Sequence, residues 1–166
     1  MDFGTPQIIV LLVAAQRLAE LGLAAHNTRR LLSQGGQEVG ARHYPLIVLL
    51  HGGWLVALFV SVAAGTPVSW PLIGVFVALQ AARLWVIATL GRFWTTRIIT
   101  IPGAPLVRTG PYHWLRHPNY WIVSAEMAVL PLAFGAWTVA LAGSVLNALV
   151  LRHRIRVEEA TFKERR

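Results

Sequence analysis

The chain has 166 residues, of which 55% are hydrophobic and 13% charged, with a mean hydropathy of +0.56. That apolar excess excludes an ordinary soluble domain, and the absence of cysteine excludes disulfides, a thiol nucleophile and a cysteine-ligated metal. The formal charge of +8 does not point to nucleic acid, because the basic residues lie between apolar blocks rather than on a soluble face, a pattern suited to anionic headgroups.

In chain order, Met1 to Gly4 lack a basic n-region, and no small-residue cleavage site follows, so the first apolar block reads as a retained span. That block runs from Thr5 to Ala25, and two more run from Tyr44 to Ala64 and from Pro71 to Leu90. Each meets the requirement of about 20 residues for a helical crossing. The last two, Tyr120 to Phe134 and Ala136 to Leu151, are shorter and are punctuated by Pro131 and Gly135, which predicts a helical hairpin, either turning near the far interface or tilted and partly packed within the bundle.

Basic residues alternate between the connections. Arg29, Arg30 and Arg42 follow the first span, and Arg92, Arg97, Arg108 and Arg116 precede the fourth. Arg152, Arg154, Arg156, Lys163, Arg165 and Arg166 follow the fifth, whereas Gly65 to Trp70 and the hairpin turn carry none. The expected fold is therefore all-α and integral to the membrane: five transmembrane helices with the N-terminus outside, spans four and five forming a hairpin, and a cytoplasmic C-terminal helix. Residues 1–166 read as one domain, without internal repeats.

Polar groups inside spans face the bundle interior and are either structural or functional. Arg17 and Glu20, three apart on one helical face, read first as an interhelical clamp. Arg83 and Glu126 are further candidates, with His51, Gln80 and Asn147 weaker ones. Glu126 is open to either role, because it lies two helical turns beyond the densest motif in the chain.

That motif, Gly110-Pro111-Tyr112-His113-Trp114-Leu115-Arg116-His117-Pro118-Asn119-Tyr120, ends the long polar segment Gly91 to Asn119. Long connections of this kind are usually functional. Pro118 suits the first turn of a helix, whose free N–H groups then stay available to an anion. Singly, each residue has a plain alternative: an aromatic belt for Tyr112, Trp114 and Tyr120, a snorkelling anchor for Arg116, a satisfied hydrogen bond for His117. A returning hairpin would bring Arg152 to Glu159 to the same membrane face, so that two polar clusters meet.

The string Gly-Pro-Tyr, three residues, Arg-His-Pro, one residue, Tyr, followed by two short spans and Arg with a paired Glu, resembles the isoprenylcysteine carboxyl methyltransferase family and the related phospholipid N-methyltransferases. The resemblance covers about residues 90–162 and looks most like the short bacterial branch, which Trp94-Thr95-Thr96-Arg97-Ile98 also suggests; some members of that branch are associated with O-methylation of alkyl polyketides. It implies a multi-pass protein of a bacterial inner membrane with a cytoplasmic active site, and S-adenosyl-L-methionine as cofactor, held by Tyr112, Arg116, His117, Pro118, Asn119, Tyr120, Glu158 and Glu159. Carboxylates suit ribose hydroxyls or an ammonium, cationic and N–H donors suit a carboxylate, and aromatic faces suit adenine or a sulfonium.

The expected reaction is in-line attack by a substrate oxygen on the sulfonium methyl, with alignment and water exclusion as the protein's task. Arg116 is the candidate for orienting an anion. A carboxylate needs no base; a phenol or enol would use one, for which His117 and Glu126 are the candidates. The acceptor is a lipophilic small molecule arriving from the bilayer, and neither nucleic acid nor a metal is expected. Two other readings stay open: an NADPH-dependent sterol-type reductase, which shares an Arg-His-Pro-Asn-Tyr string, and a small transporter using Arg17, Glu20, Arg83 and Glu126 as a polar path. A conventional soluble methyltransferase domain is excluded, because no Gly-rich fingerprint follows a strand.

Overall fold

The computed structural model describes residues 3–41, 44–104 and 106–162. Of the basic residues used for orientation, Arg42, Lys163, Arg165 and Arg166 lie outside the described residues, as do Met1 and Asp2. The fold is all-α, about 75% helical. Five α-helices make up most of this among the described residues: α1 (Thr5–Ser33), α2 (Tyr44–Ser61), α3 (Trp70–Leu90), α4 (Pro118–Ala133) and α5 (Trp137–Phe162). Among the described residues three segments are long and apolar enough to cross a membrane, Thr5–Ser33, Tyr44–Ser61 and Trp70–Phe93. In contrast, α4 has only 16 residues, and α5 gives its last third to the charged run Arg152 to Glu159.

α1 is longer than its apolar block. With no breaker before Gly35, which adopts φ +85°, it continues through the charged turn containing Arg29 and Arg30 for about 44 Å at 1.5 Å per residue. Its start is tied down by Gln7, whose side chain accepts from the Gly4 N–H at 3.1 Å and donates to the Val62 carbonyl at 2.6 Å.

Two apolar clusters hold the bundle. One joins Val10 and Val13 of α1, Trp54 and Leu58 of α2, Phe76 of α3, and Val123, Met127 and Leu130 of α4. The other, nearer the long loop, joins Ala24, Val86, Trp94 and Ile122. Gly143 lets α5 approach α2, since a Cβ there would lie 2.7 Å from Trp54 Cδ1. At one end of the bundle the Ser69 N–H donates to the Ala133 carbonyl at 2.8 Å, setting the start of α3 beside the end of α4.

Two short strands add to the expected all-helical plan. β1 (Gln37–Val39) and β2 (Ile98–Thr100) pair antiparallel, with Glu38 opposite Ile99. Three residues are too few for an alternating pattern to announce a strand, so this ribbon was not visible in the sequence. It fixes the loop after α1 against the loop after α3.

Candidate active site

The motif segment is shaped by its own turns before any partner arrives. Gly110 takes φ +55°, and a Cβ there would meet Thr89 Oγ1 at 2.7 Å, so glycine permits both the left-handed turn and close approach to α3. A 3₁₀ turn over Gly110–His113 follows and seats Tyr112 against the second apolar cluster, while Trp114 meets Trp85 edge-on at 6.0 Å. Pro118 opens α4, where a missing N–H is harmless, and His117 is its N-cap residue.

The C-terminal part of α5 returns to this loop. Glu158 accepts a short hydrogen bond from the Tyr120 hydroxyl, which in turn accepts from Arg154 Nε at 2.8 Å. The second arm of Arg154, Nη2, donates to the Thr96 carbonyl at 2.8 Å. His117 stacks on Tyr120 with centroids 5.3 Å apart, and its two ring nitrogens lie 3.7 Å from Glu158 and 3.6 Å from Glu159. These separations exceed a direct hydrogen bond but are close enough for charge attraction. Arg116 is exposed, 4.0 Å from Glu159. The loop and the tail, 38 residues apart at Tyr120 and Glu158, thus form one polar cluster at one end of the bundle.

The cluster perturbs its own titrations. The polar contact with Glu158 raises the His117 pKa above 6.5, outweighing burial, which lowers it, and the Glu158 and Glu159 charges act in the same direction. Burial would raise Glu158, but the polar contact with His117 and the hydrogen bond from Tyr120, with the charges of His117 and Arg154, hold it below the ordinary carboxylate value. Burial, then the Glu158 charge, pushes the Tyr112 phenol upward. Glu158 is thereby kept as an anion and Tyr112 as a neutral donor.

Beside the cluster lies a cleft of about 540 Å³ between α4 and α5, within the usual range for small-molecule sites. Arg116, His117, Arg152 and Arg156 stand at its polar end, and Trp121, Ala148, Leu151 and Ile155 form its apolar wall. Two buried polar atoms nearby, His117 Nε2 and Asn119 Oδ1, have no hydrogen-bond partner among the described residues. Tyr112, Asn119, Glu158 and Glu159 are not among the residues that line the cleft.

Glu126 sits elsewhere. It is 3% exposed and accepts from Arg83 Nη1 and Arg17 Nη2, both at 2.9 Å, and from Gln80 Nε2 at 2.8 Å. Glu20 completes the network, paired with Arg17 at 2.8 Å and with Arg83 at 2.9 Å. Two cations and two anions balance across α1, α3 and α4, which is an interhelical clamp. Among the described residues His51 bonds within its own helix, to the Ile47 carbonyl, and Asn147 donates to Ser124 across α4 and α5.

Sequence reading assigns Arg154 only to the charge of the tail, yet it is 8% exposed and links Tyr120 to Thr96. The four-residue spacing of Arg154 and Glu158, which sets both on one face of α5, is the signal that points to it.

The model of the isoprenylcysteine carboxyl methyltransferase family matches residues 72–164, more than half of the chain and the whole of the segment just described. The chain belongs to that family. Its members are membrane methyltransferases, which agrees with three membrane-length helices ahead of the polar cluster. Among curated relatives, the chain is 35% identical over 161 residues to the uncharacterized protein YpbQ of Bacillus subtilis, covering 95% of this chain and 96% of that one. It is 25% identical over 155 residues to an uncharacterized protein of Haemophilus influenzae, covering 90% of each. No solved structure matches significantly.

Proposed function

We propose that this protein is an S-adenosyl-L-methionine-dependent methyltransferase that methylates a carboxyl or hydroxyl oxygen of a lipophilic acceptor. The observation that carries this reading is the meeting of the Arg116–Tyr120 segment with the Arg154–Glu159 tail beside a cleft that is polar at one end and apolar along its wall. The donor set fits the cofactor: carboxylates for ribose hydroxyls or an ammonium, cationic and N–H donors for a carboxylate, and two buried atoms, His117 Nε2 and Asn119 Oδ1, without a hydrogen-bond partner among the described residues. Tyr112, Arg116, His117, Asn119, Tyr120, Glu158 and Glu159 would hold it, with the free N–H groups behind Pro118. When bound, it supplies a methyl group on a cationic sulfur.

The chain's own residues then bind, orient and dry the site. Tyr120 and Arg154 fix the Glu158 carboxylate, Arg116 orients an anionic acceptor, and Trp121 and Leu151 exclude water. A carboxylate acceptor needs no proton removed. For a hydroxyl acceptor, His117 faces the cleft, whereas the Glu126 carboxylate is already taken up by Arg17, Arg83 and Gln80 and serves in this reading as a clamp.

The same reading includes five spans, with α4 and the first part of α5 as a transmembrane hairpin in a bacterial inner membrane. Exposed Trp70 and Trp137 mark one end of the bundle, and Trp114 and Trp121 the other, as paired interfacial belts do. At about 24 Å, α4 is shorter than a hydrocarbon core of about 30 Å, a mismatch that local thinning accommodates. The polar cluster then faces the cytoplasm, the source of the cofactor, and the acceptor arrives from the bilayer.

The test is to incubate membranes carrying the protein with methyl-labelled S-adenosyl-L-methionine and identify the labelled lipid. Arg116→Ala and Glu158→Ala should abolish cofactor binding to purified protein; retained binding in both removes the site assignment. Binding of NADPH in place of S-adenosyl-L-methionine would overturn the proposal in favour of a sterol-type reductase.

A further inference from the structure

A second cavity, of about 270 Å³, lies where the end of α1 meets the β-ribbon and the start of α2, apart from the α4–α5 cleft. Its charge comes from three side chains, Arg29, Arg97 and Glu38, which leave one net positive charge. Arg97 is held in place: Nη1 lies 2.9 Å from both Glu38 oxygens, and its guanidinium sits 4.4 Å over the Tyr44 ring. Tyr44 is itself fixed by a hydrogen bond from Thr96 at 3.1 Å. Arg29 is different. Among the described residues no hydrogen bond or ion pair engages its guanidinium, which borders the cavity from the exposed side of α1.

The surface leading to this cavity is apolar. Leu11, Leu18, Ala25 and Leu32 recur at seven-residue intervals, a nearly constant face of α1, and the three leucines are 48%, 69% and 40% exposed. From Leu11 to Ala25 the stripe runs about 21 Å, longer than one leaflet's half of the hydrocarbon core. Ala25 and Leu32 also line the cavity, so stripe and pocket are continuous. A helix face that is apolar over a leaflet's depth and ends at a cavity with a fixed guanidinium, a free guanidinium and a phenol has the chemistry of a lipid seat, not of a site for a small soluble anion.

We propose that α1 and the β-ribbon bind one anionic phospholipid, its headgroup phosphate between Arg29 and Arg97 and an acyl chain along the Leu11–Leu32 stripe. The site lies at the same end of the bundle as the polar cluster, because Thr96 borders the cavity and its carbonyl accepts from Arg154. The headgroup therefore belongs to the leaflet that this cluster faces. The proposal rests on the membrane placement of α1 but not on methyl transfer.

The experiment uses the full chain in phosphatidylcholine nanodiscs with and without phosphatidylglycerol. It reads lipid retention by native mass spectrometry and the Tm, with no cofactor or acceptor present, so its outcome is independent of the proposed reaction. Phosphatidylglycerol should be retained in preference to phosphatidylcholine and should raise the Tm. Arg29→Gln should weaken retention roughly fivefold, the worth of one basic charge near an anionic leaflet. Glu38→Gln, which takes the cavity from one net positive charge to two, should strengthen it by a similar factor. Equal retention of both lipids by the native chain and both variants would overturn the proposal, as would inorganic phosphate protecting the protein as well as phosphatidylglycerol does.

Discussion

Replacing Tyr120 by Phe removes one oxygen that serves two charged partners. The hydroxyl donates to Glu158 and accepts from Arg154 Nε at 2.8 Å, and hydrogen bonds to charged groups contribute about 1.5–3 kcal/mol each. The loss falls short of two full bonds, because Arg154 keeps the Thr96 carbonyl at 2.8 Å and Glu158 keeps His117 at 3.7 Å. The ring still stacks on His117, so packing is conserved. The expected deficit of about 1.5–3 kcal/mol corresponds to roughly ten- to hundredfold weaker S-adenosyl-L-methionine binding. Isothermal titration calorimetry on detergent-purified protein measures it, with the Tm as a folding control. A pH series adds a signed check. Tyr120 is one of the groups holding Glu158 below its ordinary value, so its loss moves the acid limb of binding to higher pH. An affinity within about twofold of the native protein at every pH would refute the role assigned to this hydroxyl.

Further outcomes follow from the same geometry. Glu126→Ala leaves Arg17 and Arg83 facing Glu20 alone, an uncompensated buried charge that costs about 3–5 kcal/mol and should appear as a large fall in Tm. Glu126→Gln, which keeps a hydrogen-bonding side chain, should fall less and retain methyl transfer; loss of turnover at unchanged Tm would make Glu126 a base. The raised pKa of His117 stabilises the fold fully below its ordinary 6.5, and this contribution is lost as pH rises through the raised value. The gap in Tm between native protein and His117→Gln should therefore close on the alkaline side; a gap that widens there contradicts the His117–Glu158 attraction. Gly110→Ala combines a left-handed backbone with a contact 2.7 Å from Thr89 Oγ1, and should cost about 1–3 kcal/mol with weakened cofactor binding, read by Tm and calorimetry.

The sequence by itself determined the membrane class, the helix that begins at Pro118, and the two stretches able to carry chemistry. Each is a local property: hydropathy over a helical length, the missing N–H of a proline, an uncommon density of Arg, His and Tyr. It also set Arg17 beside Glu20, because a three-residue spacing fixes that contact whatever the tertiary fold. Only the tertiary structure decided which charge meets which. Arg83 closes a circuit between Glu20 and Glu126, 63 and 43 residues away in sequence, and so engages in ion pairs a carboxylate that the sequence left open between clamp and base. The ribbon of β1 and β2 is equally invisible in sequence, since three-residue strands gain their order from each other and not from their own propensity. Arg154 shows the difference most clearly. Spacing places it on one face with Glu158, but its contacts with Tyr120 and Thr96 exist only because α5 returns along α4 to the loop that β2 holds in place. Ion pairs and hydrogen bonds act over a few ångströms, so their partners are chosen by how helices pack, which no local pattern encodes.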